Sequence, residues 1–178
     1  MGLKIIYVFL LTSFFCYSQE NSKIIKMDDY FRYESVVFSE NYKAPFQITN
    51  LKNSFTPTES QLKEAEKLLK EQYNLSKRKI VDSLSKAGRE GLKYPDEVKN
   101  VRKKLCKYRR QYIGYVNKQN DTIISINLLN FKKRRKAEKY FIDWKTSYIV
   151  GFDGFYYENM EYFDANLTKN ELRVGNGN

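Results

Sequence analysis

Four acidic residues near the C-terminus, Asp143, Asp153, Glu158 and Glu161, are the side chains whose clustering would suit acid–base chemistry. A pair of carboxyls doing that work needs one of them buried and held protonated. Glu158 and Glu161 lie an odd number of positions apart, so on a regular strand they face opposite sides and do not make such a pair. The chain contains no histidine. That removes Ser-His-Asp and Cys-His machinery and the usual zinc and copper ligand sets. Neither a cofactor nor a metal is implied.

Charge recognition is the other candidate chemistry. Lys and Arg number 32 against 21 Asp and Glu, a net of +11. The excess sits in two blocks: residues 77–110 hold 13 basic and 4 acidic residues, and residues 132–139, KKRRKAEK, carry +5. Residues 111–131 between them are neutral, and residues 140–178 carry −3. The candidate binding residues are Lys103, Lys104, Lys107, Arg109 and Arg110 in the first block, and Lys132, Lys133, Arg134, Arg135 and Lys136 in the second. Such runs are either solvated helix faces and loops or a surface that meets an acidic partner.

The start of the chain narrows the choice of partner. Lys4 is the only charge in the first eighteen residues, and Ile5 to Phe15 is apolar apart from Thr12 and Ser13. Cys16 and Ser18 then stand at the −3 and −1 positions for cleavage before Gln19. This is the order of a secretory signal. The apolar run falls short of the ~20 residues that span a bilayer. Lipidation at Cys16 competes, but Phe15 occupies the position that is normally small. Residues 1–18 are therefore expected to be a signal peptide and residues 19–178 a single exported domain, periplasmic or secreted, with no transmembrane segment. Nucleic acid is then a poor partner, and an acidic protein, anionic lipid or acidic polysaccharide a better one. The mature chain keeps one cysteine, Cys106, and no disulfide within itself. Cys106 reads as a small half-buried residue.

The elements that must position these residues centre on Tyr108 to Phe131. Two runs dense in Tyr, Ile, Val and Thr flank the polar turn Asn117–Asp121, the pattern of a hairpin. Ile124, Ile126 and Leu128 share one face. Ile123, Ser125, Asn127 and Leu129 share the other, which is expected to be partly wet. Gly114 in mid-strand marks a bulge or a close approach by another backbone. Residues 56–76 predict a helix, with Thr56 and Glu59 as a capping box, Pro57 in the first turn, and Leu62, Ala65, Leu68, Leu69 and Tyr73 as the apolar stripe. Ile80 to Ala87 either extend it or form a second helix, which Gly88 and Gly91 stop. Pro95 and Asp96 open a short helix carrying Val98, Val101 and Leu105. Residues 30–38 read as a helix or strand, and Phe46, Ile48 and Leu51 as a short strand. Lys132 to Tyr140 reads as an exposed connection. A third strand, Tyr148 to Phe152, and a fourth, Phe155 to Phe163, flank Asp153-Gly154, where a type I′ turn is expected, making Asp153 a turn residue. A polar turn at Asn166–Asn170 and a last strand at Leu172–Val174 follow. The whole is an α+β domain, an amphipathic helix with one or two shorter ones packed on a four- to five-stranded antiparallel meander. Its layout is similar in shape to cystatin-like or nuclear-transport-factor-like folds.

Thr56-Pro57-Thr58-Glu59, Arg110-Gln111-Tyr112 with Gly114-Tyr115, Ile126-Asn127, Trp144 and Asp153-Gly154 together resemble an uncharacterised family of small exported Bacteroidetes proteins. The resemblance spans roughly residues 56–178 and implies export and the α+β fold, with no activity attached. The family often carries a second glycine where Phe155 stands. Asp82-Ser83-Leu84 and Asp121-Thr122-Ile123 are similar to the short O-glycosylation motif of that phylum, and also read as a cap and a turn. The functional expectation is a non-enzymatic exported binding module meeting an acidic envelope component or protein. A polyanion-binding surface and a carboxylate-based enzyme are the alternatives.

Overall fold

The computed structural model describes residues 21–27, 34–43, 48, 50–89, 91–150 and 159–175. The signal segment, Asp153-Gly154, Phe155 and Glu158 lie outside them. The hairpin is the centre of the fold. Strand β4 (Tyr108–Asn117) pairs with β5 (Thr122–Asn130) from Tyr108↔Asn130 to Val116↔Thr122. The Asn117 side chain closes the turn by accepting from the backbone N–H groups of Gln119 and Asp121, at 3.0 and 2.8 Å. Asn120 takes the left-handed conformation that asparagine tolerates (φ 63°). Strand β6 (Met160–Asn166) continues the meander beside β5, and β7 (Glu171–Val174) closes it beside β6.

Among the described residues three further strands widen the sheet to seven, beyond the four or five expected. They are β1 (Ser22–Ile25), β2 (Ser35–Phe38) and β3 (Leu51–Phe55). β2 and β3 share one edge of β4: β2 lies parallel beside Gln111 and Tyr112, and β3 antiparallel beside residues 114–117. β2 is buried on both faces, which is why Val36, Val37 and Phe38 form an unbroken apolar run. Gly114 is a close approach, as its position implies. A Cβ there would stand 2.7 Å from the Phe55 carbonyl oxygen and ring.

Helix α1 (Glu59–Lys86) is longer than the predicted segment because residues 77–86 extend it. Its capping box is Thr58 with Gln61, two residues later than the expected Thr56 with Glu59. Thr56 instead accepts from the backbone of Glu40 at 3.0 Å. Gly88, at φ 82°, supplies the left-handed residue that ends the helix. The predicted stripe packs on the sheet with Ile124, Ile126, Leu128 and Phe163. Helix α2 (Val101–Leu105) starts at Val101, after the Asn100 cap, and not at Pro95.

The second sheet face, expected to be partly wet, is covered. Residues 132–140 hold a helix, α3 (Arg134–Tyr140), and not merely a connection. Phe131, Ala137, Phe141, Trp144 and Tyr148 pack there against Phe38, Ile113, Leu129 and Tyr162. Tyr148, Ile149 and Val150 form no strand; they end a strap laid over the sheet. Two polar residues of that face, Gln111 and Asn127, serve the strap. Gln111 donates to the Trp144 and Ser147 carbonyls (2.6 and 2.8 Å) and accepts from the Ile149 N–H at 2.9 Å. Asn127 donates to the Ile149 carbonyl at 2.8 Å and to Gln111 at 3.0 Å. Both ends of the Gln111 amide are satisfied, as a dry interface requires, whereas the Asn127 Oδ1 is buried without a hydrogen-bond partner among the described residues.

Candidate functional site

The second basic block forms a cleft at the end of the hairpin. Phe131 turns inward after β5 and Ala137 is buried one turn into α3, so this short helix is pinned by its apolar side. Lys132, Lys133 and Lys136 are left facing out, and with Asn130, Ala137, Tyr140 and Asn159 they line a cleft of about 220 Å³. The register pairs Leu129 with Met160, and the residues next to them, Asn130 and Asn159, both line the cleft. Arg134 is engaged by Glu138 at 2.7 Å. Among the described residues, no carboxylate makes an ion pair with Lys132, Lys133 or Lys136. Three ammonium groups around one cleft repel one another, and a bound anion relieves that repulsion. Asn130, Asn159 and Tyr140 line the same cleft with amide and phenol groups, chemistry of the kind that hydrogen-bonds oxyanion oxygens. The volume suits one phosphate, carboxylate or sugar unit and is smaller than a typical drug-sized pocket of about 300 Å³ or more.

A separate polar cluster lies under α1. Strand alternation turns Glu161 toward the helix, where Tyr73 and Tyr108 both donate to it, Tyr108 at 2.8 Å. Lys77 and Lys104 reach the same carboxylate at 3.1 and 2.9 Å, and Lys104 also donates to the Tyr73 hydroxyl. Burial opposes the Glu161 charge, yet Lys77, Tyr73 and Lys104 together outweigh it and hold the carboxyl below its ordinary value. Burial, followed by the Glu161 charge, pushes both tyrosines well up. The four donors occupy both oxygens. The result is an ionised, saturated carboxylate that ties α1 and α2 to β6. It is not poised to move a proton at neutral pH.

On the opposite face, Asp164 meets Ser125 at 2.6 Å, and Ser125 lies 3.0 Å from the Tyr162 hydroxyl. Burial pushes the Asp164 carboxyl up to about 6. Ser125 itself is buried in the sheet, so this is an internal polar contact.

No protein-family model, curated protein or solved structure matches this chain. What its side chains can do is therefore set by where the fold places them.

The ten candidate cations part company in three dimensions. Lys132, Lys133, Arg134, Arg135 and Lys136 stay together at the surface, and Lys103 and Lys107 are also exposed. The Lys107 carbonyl accepts from the Phe131 N–H at 3.2 Å, so the two blocks adjoin there. Lys104 belongs to the Glu161 cluster. The Arg109 guanidinium stacks over Phe131 and Trp144 at 4.2 and 4.7 Å. Arg110 is no surface cation: it is fully buried against Glu66. Of the acids, Glu161 faces α1, while the backbone of Asp143 forms a turn in the strap on the other face, accepting from Thr146 and Ser147. These two are not a pair, and Asp153 and Glu158 fall outside the described residues. Cys106 is free and half-buried, and its thiol donates to the Lys103 carbonyl at 3.1 Å.

Asn130, Tyr140 and Asn159 were not legible as cleft residues, because nothing in their local sequence marks them. Glu66 did leave a signal. It stands four positions after Leu62 and three before Leu69, on the apolar stripe of α1, where a lone acid implies a buried partner.

Proposed function

We propose that the protein is an exported, non-enzymatic binding module whose α3 cleft holds an anionic group of an envelope component. The observation that carries this is the convergence of Lys132, Lys133 and Lys136, with Asn130, Asn159 and Tyr140, on one cleft of about 220 Å³. The first basic block supports such a role less well, since Lys104 and Arg110 are engaged internally.

Titration of the mature chain, from Gln19, with inorganic phosphate under NMR tests the reading. Amide shifts of residues 130–140 and 159 should saturate together and disappear in the K132Q/K133Q/K136Q variant. They should weaken as salt screens the charges over a Debye length of roughly 10 Å or less. Shifts spread equally over residues 99–110, or untouched by the triple substitution, would refute it.

A further inference from the structure

We infer that the anion is a phospholipid headgroup, and that α3 with the segment after it docks the protein onto an anionic lipid leaflet. This rests on the cleft reading above and adds the surface to which the anion belongs.

The argument starts from three consecutive residues. Phe141 is buried, stacked near Phe131 with ring centroids 5.5 Å apart, while its neighbours Tyr140 and Ile142 are 53 % and 76 % exposed. Ile142 is the most exposed large hydrophobic among the described residues. The inward Phe141 forces Tyr140 and Ile142 outward together. The backbone that carries them is fixed: Phe141 N–H donates to Ala137 at 2.8 Å and its carbonyl accepts from Trp144 at 3.3 Å. A single exposed isoleucine is ordinary on any protein surface. Here it stands two positions after a phenol that lines the cleft, within a stretch, 132–145, of seven basic and two acidic residues.

Each part matches a layer of a membrane surface. Lysine and arginine stems lie along apolar surface while their heads remain at the phosphates. Tyrosine favours the headgroup level, and isoleucine the acyl boundary beneath it. Neither signal suffices alone. Each basic residue near an anionic leaflet adds about fivefold in partitioning, and stable attachment takes charge together with an inserted apolar group. The cleft accommodates one headgroup, and the charge is complementary to an acidic leaflet. A soluble partner that met only the cations would leave Ile142 in water.

Co-sedimentation of the mature chain with phosphatidylcholine vesicles, with and without about one-third phosphatidylglycerol, tests this. Binding is expected to the anionic vesicles. Ile142→Ser should weaken it roughly tenfold while leaving the phosphate titration unchanged. K132Q/K133Q/K136Q should abolish both. Leu75→Ser, which removes an exposed leucine of α1 (51 % exposed), should change neither. Trp144 emission would confirm that each variant is folded. If I142S and a Tyr140→Ser variant bind vesicles like the parent while phosphate still saturates the cleft, lipid docking is overturned and the anion site survives. If phosphate does not bind the parent cleft, the underlying reading fails instead.

Discussion

Arg110 and Glu66, 44 positions apart, meet beneath α1 in a two-point ion pair: Arg110 Nε lies 3.1 Å from Glu66 Oε1 and Nη2 3.3 Å from Oε2. Their side chains are 0 % and 2 % exposed. Tyr112 donates to the same carboxylate at 2.8 Å, and Arg110 also donates to the carbonyls of Leu105 and Tyr108 at 3.1 and 2.7 Å. The pair thus joins the long helix, the end of α2 and the central strand.

Breaking that pair should cost far more than replacing it. Glu66→Ala leaves the Arg110 charge buried and uncompensated, and should destabilise by about 3–5 kcal/mol in urea unfolding. Glu66→Leu combined with Arg110→Met should recover most of the loss, because both desolvation costs vanish with the charges. A single substitution costing under ~1 kcal/mol would mean that the site admits water.

Glu161 should make the protein acid-sensitive. Its folded carboxyl is held below the ordinary 4.5. A lowered folded value contributes stability above the unfolded pKa and loses it as pH falls through the folded one. Stability should therefore drop on acidification below about pH 4.5. Glu161→Gln should lack that component and be less stable at pH 7 by roughly 1–3 kcal/mol. Thermal melts across pH 3–7 decide the matter; parallel curves for the two proteins would contradict the assignment.

Asp164 should act with the opposite sign. Its carboxyl is pushed up from 3.8 to about 6 by burial. A raised folded value stabilises most below the unfolded pKa, and that contribution is lost as pH climbs from 3.8 through about 6. Asp164→Asn should leave stability near pH 4 unchanged and raise it at pH 7.5 by about 1–2 kcal/mol. Equal effects at both pH values would show that the carboxyl is well solvated.

Gln111 should govern whether the strap stays closed. Gln111→Leu strands the Trp144 and Ser147 carbonyls and the Ile149 N–H that the amide satisfies. Each unsatisfied buried group costs about 1–3 kcal/mol, so residues 141–150 should open before the rest unfolds. Trp144 is the chain's single tryptophan and reports this directly. Its emission should shift to the red and become accessible to acrylamide, with the far-ultraviolet spectrum unchanged. An unshifted emission would place the strap's stability in its apolar contacts with Phe131, Phe38 and Tyr162.

Local geometry explains which parts of this fold could be read in advance. Side-chain direction along a strand or helix follows from the backbone, so alternation from Thr122 to Leu129 and the stripe from Leu62 to Tyr73 were legible, as was the Asn117–Asp121 turn. The exposure of Lys132 to Lys136 was legible too, because a dense run of cations cannot be buried without partners. What covers a face is not a local property. Asn127 looks like a water-facing residue until Gln111 and the strap, which Gln111 meets at Trp144 33 positions beyond it, close over it. Arg110 looks like its cationic neighbours until Glu66 comes within 3.1 Å and makes its burial tolerable. The cleft likewise waits on the β5–β6 register, which alone carries Asn159 to the lysines of α3. In each case the deciding contact joins distant parts of the chain, so only packing could select it.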